Sequence, residues 1–405
     1  MIVQKAFKFK LDLSSKEIEI LSGWISTCRF LYNNALEHRI LNYSQFKKSF
    51  NYYDQANELV DVKDAFDFVK EVPSQALQQK LKDLDSAFQK FFKGGGFPKF
   101  KKKSSIDGIR FPDGKNLKIV KLNKSKSYIK IPKLGNIRFF QSREIEGIIR
   151  NATVTKNGDD FYISIQTQFE KEVKVRNENP IGIDRGVRTM VVTSDGEFLR
   201  KPELSKLEAK VKKIQKRLSK KKKFSKNFFK EKAKLQKAHS KIVRVKRDNL
   251  HKITTRIVKS HGVVVIEDLK TKNMTRSAKG NAEKHGKNVK AKSSLNRAIL
   301  QNNWYEFETL LKYKLEWSGG RLSKVNPAYT SQACNKCGHT EKDNRKGELF
   351  KCLSCGHQDH ADINGAKNIL GRDTTLKSVE TLTTVGVQSK SKQVKSMKQK
   401  PLLVS

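Results

Sequence analysis

Cys334-Asn-Lys-Cys337, fourteen intervening residues, Cys352-Leu-Ser-Cys355, then Gly356-His-Gln-Asp359-His-Ala-Asp362-Ile-Asn-Gly-Ala-Lys-Asn-Ile-Leu370: the whole chain is organised around this stretch. Two Cys-x-x-Cys pairs put four thiolates on two tight knuckles, the donor set of a tetrahedral Zn²⁺. Gly338 and Gly356 follow the second cysteine of each pair, where such a knuckle turns sharply. A pair of disulfides is the competing reading. Four of the five cysteines lie in this motif and no secretory segment is visible, which favours zinc. Because four thiolates fill the shell, one structural Zn²⁺ is expected and not a catalytic one. His339, His357 and His360 are spare donors, expected in loops or behind the ligands. Asp362 opens a short helical pattern with Ile363, Ala366, Ile369 and Leu370 apolar, and Gly371 stands at a C-cap position. An acid in a first helical turn ordinarily serves the macrodipole.

Lys and Arg number 85 against 41 Asp and Glu, a formal net charge of +44 over 405 residues. Charge on that scale calls for a polyanionic partner, and nucleic acid is the expected one. The length allows two or three domains. There is no run of about 18 apolar residues and no signal-peptide core at the N-terminus. No membrane association is expected; the expected location is a bacterial or archaeal cytoplasm, at the nucleoid. Cys28 shares an apolar helix face with Ile18, Leu21, Ile25 and Tyr32 and reads as core.

Phe7, Phe9, Leu11 and Leu13 alternate with polar residues as a half-buried strand does. Ser14-x-x-Glu17 is a capping box that starts a helix through about Ile40. A less regular helical stretch is expected over 44–69. Pro73 opens a third, with Leu77, Leu81, Leu84, Phe88 and Phe91 on one face, ended by Gly94-Gly-Gly96. From Phe97 to Glu170 the period changes to two, which predicts a small β-barrel completed by the first strand. Pro180 to Val192 reads as strand, tight bend, strand, and Pro202 to Ser260 as a helical hairpin with a lysine-crowded turn. Gly262 to Leu269 suits a buried parallel strand. Lys270 to Ser294 reads as a mobile loop, Trp304 to Trp317 as a helix, and Gly320 to Val325 as a last strand. The tail from Arg372 has too little apolar content to pack and is expected to be disordered.

Three acids stand at informative positions. Asp184 lies in a strand, Glu267 ends the buried strand, and Asp362 begins the helix after the cysteines. Acids beside apolar neighbours are costly unless a cation neutralises them. Three such carboxylates suit two Mg²⁺ ions, which activate water and stabilise the leaving oxygen of a phosphodiester. The bland readings are a turn residue for Asp184 and a strand-end acid for Glu267, with Asp268 as N-cap of the next segment. All three acids in that order, in so basic a chain, point to a metal-dependent nuclease.

The chain resembles the TnpB family, transposon-encoded RNA-guided nucleases related to type V CRISPR effectors. The likeness runs over Pro73-Ser-Gln-Ala-Leu-Gln-Gln-Lys-Leu-Lys-Asp-Leu84, Gly96-Phe-Pro-Lys-Phe100, Gly182-Ile-Asp184-Arg-Gly186 and Glu267-Asp-Leu-Lys270. It continues through Tyr329-Thr-Ser-Gln-Ala-Cys334 and Ala361-Asp-Ile-Asn-Gly-Ala-Lys-Asn-Ile369. The resemblance implies an α/β multidomain chain: a RuvC-type RNase H fold with an inserted zinc ribbon, and an N-terminal wedge β-barrel carrying a helical recognition insert. The corresponding expectations are residues 1–13 as first barrel strand, 14–94 as helical insert and 95–179 as barrel. Residues 180–330 would be nuclease, with its hairpin at 203–258, then 331–356 ribbon, 357–371 last nuclease segment and 372–405 tail. A transposon-end transcript would serve as guide RNA, and double-stranded DNA beside a short flanking motif would be cut. A monomer on one RNA is expected. Asp184, Glu267 and Asp362 would be the catalytic Mg²⁺ ligands, with Cys334, Cys337, Cys352 and Cys355 on zinc. Gln4, Ser74 and Gln78 would face the flanking duplex, while Lys220, Lys221, Lys222 and Lys223 read as backbone contacts. Two departures stand out: Gly365 where the family more often has Ala, and Ala361 where Arg is frequent. The alternatives are a guide-dependent regulator with a dead nuclease and a conventional transposase.

Overall fold

The computed structural model describes residues 1–103, 108–173, 179–281, 283 and 285–373. Its N-terminal elements are β1 (Ile2–Asp12), α1 (Ser15–Phe46), α2 (Tyr52–Asn57), α3 (Leu59–Ala65), α4 (Asp67–Lys70) and α5 (Ser74–Phe92). Strands β2 (Gly108–Phe111), β3 (Ile119–Lys121), β4 (Lys126–Ile131), β5 (Gly135–Phe140), β6 (Ile148–Asn157) and β7 (Asp160–Glu170) come after them. Next are β8 (Pro180–Asp184), β9 (Val191–Thr193), β10 (Phe198–Leu199), α6 (Ser205–Ser219), α7 (Lys226–Ser260) and β11 (Val263–Glu267). The chain continues with α8 (Thr271–Met274), α9 (Val289–Gln301), α10 (Trp304–Trp317) and β12 (Arg321–Val325). It ends in β13 (Arg345–Lys346), β14 (Leu349–Lys351), β15 (Gln358–His360) and α11 (Ala361–Gly371). Two compact units form: Met1–Glu172 with Ile214–Lys237, and Val173–Lys213 with Ala238–Ser405.

In the first unit the alternation of β1 buries Val3, Phe7, Phe9 and Leu11. Its neighbours give a seven-stranded sheet in the order β2-β6-β7-β1-β5-β4-β3. The first strand joins the two halves of the predicted small β-barrel, but no closure is seen: no pairing joins β2 to β3 among the described residues. Most of β1 pairs with β7, and only Leu11 and Asp12 turn to β5. Alternation is the same in an open and a closed sheet, so the pattern could not separate them. The capping box forms as read: Ser14 N–H donates to Glu17 Oε2 at 2.6 Å, and Glu17 N–H to Ser14 Oγ at 3.4 Å. Helix α1 runs past Ile40 to Phe46, and the expected second helix is three short ones. Buried Leu77, Leu81 and Leu84 of α5 share one core with Leu21, Leu36, Phe7 and Phe139, so helices and sheet are stabilised together.

In the second unit five strands are ordered β10-β9-β8-β11-β12. Strand β11 is parallel to both β8 and β12, while β9 runs antiparallel to β8. All five residues of β11 are buried, as a strand covered on both faces requires. One face carries Ile181, Ile183, Val264 and Ile266 against Leu250, Ile253 and Ile257 of α7 and Phe307, Leu310 and Leu311 of α10. The other carries Val263 and Val265 against Ile369 of α11. The loop expected over Lys270 to Ser294 instead holds α8 and the first turns of α9, with residues 282 and 284 outside the described residues. Lysine and glycine content hid these two helices, which side-chain contacts tie together, such as Lys292 Nζ of α9 donating to Met274 O of α8 at 2.8 Å. Gly371 closes α11 from inside and Arg372 is the C-cap. The tail beyond residue 373 lies outside the described residues. Among them no helix is long and apolar enough to cross a membrane.

Candidate active site and metal centre

Strand parity decides where the three acids point. Val265 pairs with Gly182 and Ile266 with Ile183, so continuing the register sets Asp184 beside Glu267. Residues 182 and 184 of β8, and 263, 265 and 267 of β11, face the same side. That side is the one covered by α11: a Cβ added at Gly182 would meet the Ala366 carbonyl oxygen at 2.1 Å. Only glycine allows this approach. It lets the second turn of α11 back onto Asp184, whose Oδ2 would lie 3.4 Å from a Cβ at Gly365. Asp362 occupies the first turn, its N–H donating to His360 Nδ1 at 3.2 Å. The three acids therefore converge at the C-terminal ends of adjoining parallel strands, the edge where open α/β sheets bind ligands.

Burial, then the charges of Glu267 and Asp362, pushes the Asp184 carboxyl up to about 7, against the opposing fields of Arg345 and Arg185. A carboxyl raised in the fold stabilises the protein at low pH and loses that contribution as pH climbs from about 4, its unfolded value, through about 7. We therefore expect Asp184→Asn to raise the melting temperature of metal-free protein at pH 8, by several degrees. The gain should shrink steadily as pH falls toward 4. Thermal melts across that range check it; a pH-independent difference would contradict it.

The surroundings hold the acids in place. Glu267, 8% exposed, accepts from the Thr330 hydroxyl at 2.7 Å, and Asn368 Nδ2 donates to the Thr330 carbonyl at 2.9 Å. Asn364 donates to Ala333 O at 2.8 Å and accepts from the Asn335 N–H at 3.0 Å, so α11 also fixes the segment entering the cysteine knuckles. Arg345, from β13, meets Asp362 Oδ1 at 2.8 Å. The buried Arg185 guanidinium donates to the Glu267 carbonyl and lies 3.7 Å from Glu308. Glu308 pairs with Lys324 at 2.5 Å. Asp268 is not the helix cap expected of it: it pairs with Lys270 at 2.5 Å and Lys324 at 3.8 Å, and α8 has no side-chain cap. Arg185, Arg345 and Thr330 were missed from sequence. In a chain with 85 basic residues only the adjacency of Arg185 to Asp184 was a signal.

The four cysteine sulfurs all lie within 4.8 Å of one another, the only such donor group among the described residues. Cys334 and Cys355 Sγ are 3.7 Å apart, Cys337 and Cys352 Sγ 3.6 Å. A tetrahedron with Zn–S bonds of about 2.3 Å has edges of about 3.8 Å, so the cluster fits zinc; a disulfide would need about 2 Å. The knuckles are built alike. Cys334 N–H donates to His339 O at 2.9 Å and Cys352 N–H to His357 O at 2.8 Å, with Gly338 and Gly356 at φ of +77° and +70°. The rings of His339 and His357 turn instead to Glu341 and Asp359, outside the cluster. One zinc per chain is expected by elemental analysis. Stripping it should release the Cys334–Cys355 amides to fast hydrogen exchange; unchanged protection would rule out a structural metal.

Gln4 on β1 and Ser74 and Gln78, one turn apart on α5, are all exposed. Gln4 accepts from Gln166 at 3.1 Å and Ser74 from Lys63 at 2.8 Å. Lys220 to Lys223 are exposed in the turn between α6 and α7.

Comparison with known proteins adds three family matches: a Cas12f1-like TNB domain over residues 304–369, a probable transposase of the IS605 OrfB type over 161–278, and a helix-turn-helix domain over 1–48. In this chain the last of these regions is a strand and one long helix. An Escherichia coli K12 protein named "Putative RNA-guided DNA endonuclease InsQ" is 43% identical over 90% of this chain and 91% of its own. A Streptomyces pristinaespiralis protein named "Putative RNA-guided DNA endonuclease" is 28% identical over 91% of this chain and 89% of its own. The structure of Cas12f1 with sgRNA and target DNA superposes with a TM-score of 0.53 at 15% identity, over 91% of this chain and 98% of that one, a likeness of fold.

Proposed function

The chain belongs to the TnpB (IS605 OrfB) family and is a transposon-associated RNA-guided DNA endonuclease, and from that premise we propose that Asp184, Glu267 and Asp362 are its catalytic acids. They would hold two Mg²⁺ ions at the edge of a RuvC-type, RNase H-like sheet. The observation carrying this reading is the shared face of Asp184 and Glu267 under α11, with Asp184 raised first by burial and then by the other two carboxylates. Arg345 and Arg185 offset this group of acids only in part, and bound divalent cations would relieve the remainder.

Bound divalent ions supply water activation and charge neutralisation at the scissile phosphodiester. The protein's own part is to orient. Thr330 fixes the Glu267 carboxylate, Arg185 fixes its carbonyl, and Arg345 holds Asp362 until a more highly charged cation competes. The acids need no proton-transfer role. Guide RNA and double-stranded target would be held by the basic surface through their backbones, base pairing carrying the sequence. Gln4, Ser74 and Gln78 would face a short flanking motif, and one chain would act per RNA, at the nucleoid.

The deciding experiment sequences the RNA that co-purifies with the protein and then replaces its guide portion. Cutting should move to the new matching DNA and require Mg²⁺ or Mn²⁺. A cut that ignores the guide would indicate a conventional transposase; binding without cutting, a regulator. Neutralising Lys220, Lys221, Lys222 and Lys223 together should weaken RNA binding and reduce the slope of log K against log salt by roughly one per lost contact. An unchanged slope would make that turn a merely solvated one.

A further inference from the structure

Between α6 and α7 the chain reads Lys220-Lys-Lys-Lys223-Phe224-Ser-Lys-Asn-Phe228-Phe229-Lys230. Four successive exposed lysines lead into Phe224, which is 79% exposed. Its φ of 66° is left-handed, a region that bulky residues rarely occupy and that glycine would adopt without strain. The backbone around it is hydrogen-bonded: Lys221 N–H donates to Leu218 O at 3.1 Å, Ser225 N–H to Lys222 O at 3.2 Å and Phe228 N–H to the Ser225 hydroxyl at 3.2 Å. Phe224 leans on Phe228 with ring centroids 6.3 Å apart, and Phe228 on Phe229 at 5.7 Å, edge to face. Phe229 is itself 50% exposed. A large ring is thus held out from the surface, beside a run of charge that would not favour an apolar partner.

Lysine draws phosphate and an aromatic face stacks on a base. A duplex hides its base faces in its own stack, so an exposed ring gains nothing from it; a single strand offers them. We propose that this tip is a single-strand nucleic-acid site, Phe224 stacking on an unpaired base while Lys220 to Lys223 hold the flanking phosphates. The proposal rests on the reading of the protein as a nucleic-acid enzyme and adds to it a site for unpaired nucleotides. These can come from the guide RNA or from a displaced DNA strand.

The test uses the full chain with two photoreactive octamers, oligouridine carrying 4-thiouridine and oligothymidine carrying 4-thiothymidine, and maps crosslinks by mass spectrometry. A crosslink within residues 220–230 is expected, and the octamer giving the higher yield identifies the source. Phe224→Ala should weaken binding of that octamer about fivefold to a hundredfold, as loss of one stacked base does. An octamer duplex should bind as before, and Phe224→Tyr should restore single-strand binding. Absence of the crosslink, unchanged affinity in Phe224→Ala, or equal weakening for duplex and single strand would each overturn the proposal. Guide-directed cutting by the wild type is measured in parallel. If cutting fails while the crosslink forms, the catalytic reading falls and this site stands.

Discussion

Asp184→Ala is expected to bind its guide RNA and matching DNA normally and to cut on the order of a thousandfold more slowly or worse, the scale of losing one member of a catalytic unit. The two effects separate because they draw on different parts of the molecule. Affinity would come from the basic surface and from base pairing, to which one buried carboxylate adds nothing. On the proposed assignment the chemistry would need all three acids together. Loss of folding will not explain the result, since Asp184 is destabilised in the fold by burial and by Glu267 and Asp362, and its removal relieves that repulsion. Cleavage rates measured beside mobility-shift affinities decide the matter. A mutant that cuts at the wild-type rate with guide bound would show that the acids are structural. Asp268→Asn is the internal control: Asp268 is paired with Lys270 and Lys324 and partly exposed, so most activity should remain.

Gly182→Ala is expected to cost about 3 kcal/mol or more and to take activity with it. An added Cβ would lie 2.1 Å from the Ala366 carbonyl oxygen and 2.8 Å from Leu370 N and Cβ. These are mainly backbone atoms of α11, which cannot swing aside as a side chain would. Either β8 or α11 must shift, and Asp184 sits two residues along one while Asp362 sits on the other. Gly371→Ala makes the contrast, because nothing lies within 4 Å of its Cβ position; it should be neutral or slightly stabilising. Hydrogen exchange in α11 and thermal unfolding measure both. A Gly182→Ala protein with α11 protected as in wild type would mean that the helix can give way cheaply.

The sequence by itself determined whatever depends on near neighbours. Cysteine spacing placed four sulfurs at tetrahedral separations. Period-two alternation set which residues of β1 are buried, and Ser14 with Glu17 set where α1 begins, because these depend on backbone geometry over a few residues. Asp184 and Glu267 could be singled out as candidates, since a carboxylate in or at the end of a buried strand is unusual on its face. Only the tertiary structure decided whom each one meets. That Asp184 faces Glu267 depends on a parallel register between strands far apart in the chain, a separation that no local pattern encodes. The same holds for Arg185 on the Glu267 carbonyl, Arg345 on Asp362 and Asp268 with Lys324. One basic residue among so many carries no mark of its future partner. It also holds for the open edges β2 and β3, where alternation is satisfied whether or not the sheet closes. Long-range pairing depends on register and packing across the chain, and those are properties of the folded molecule.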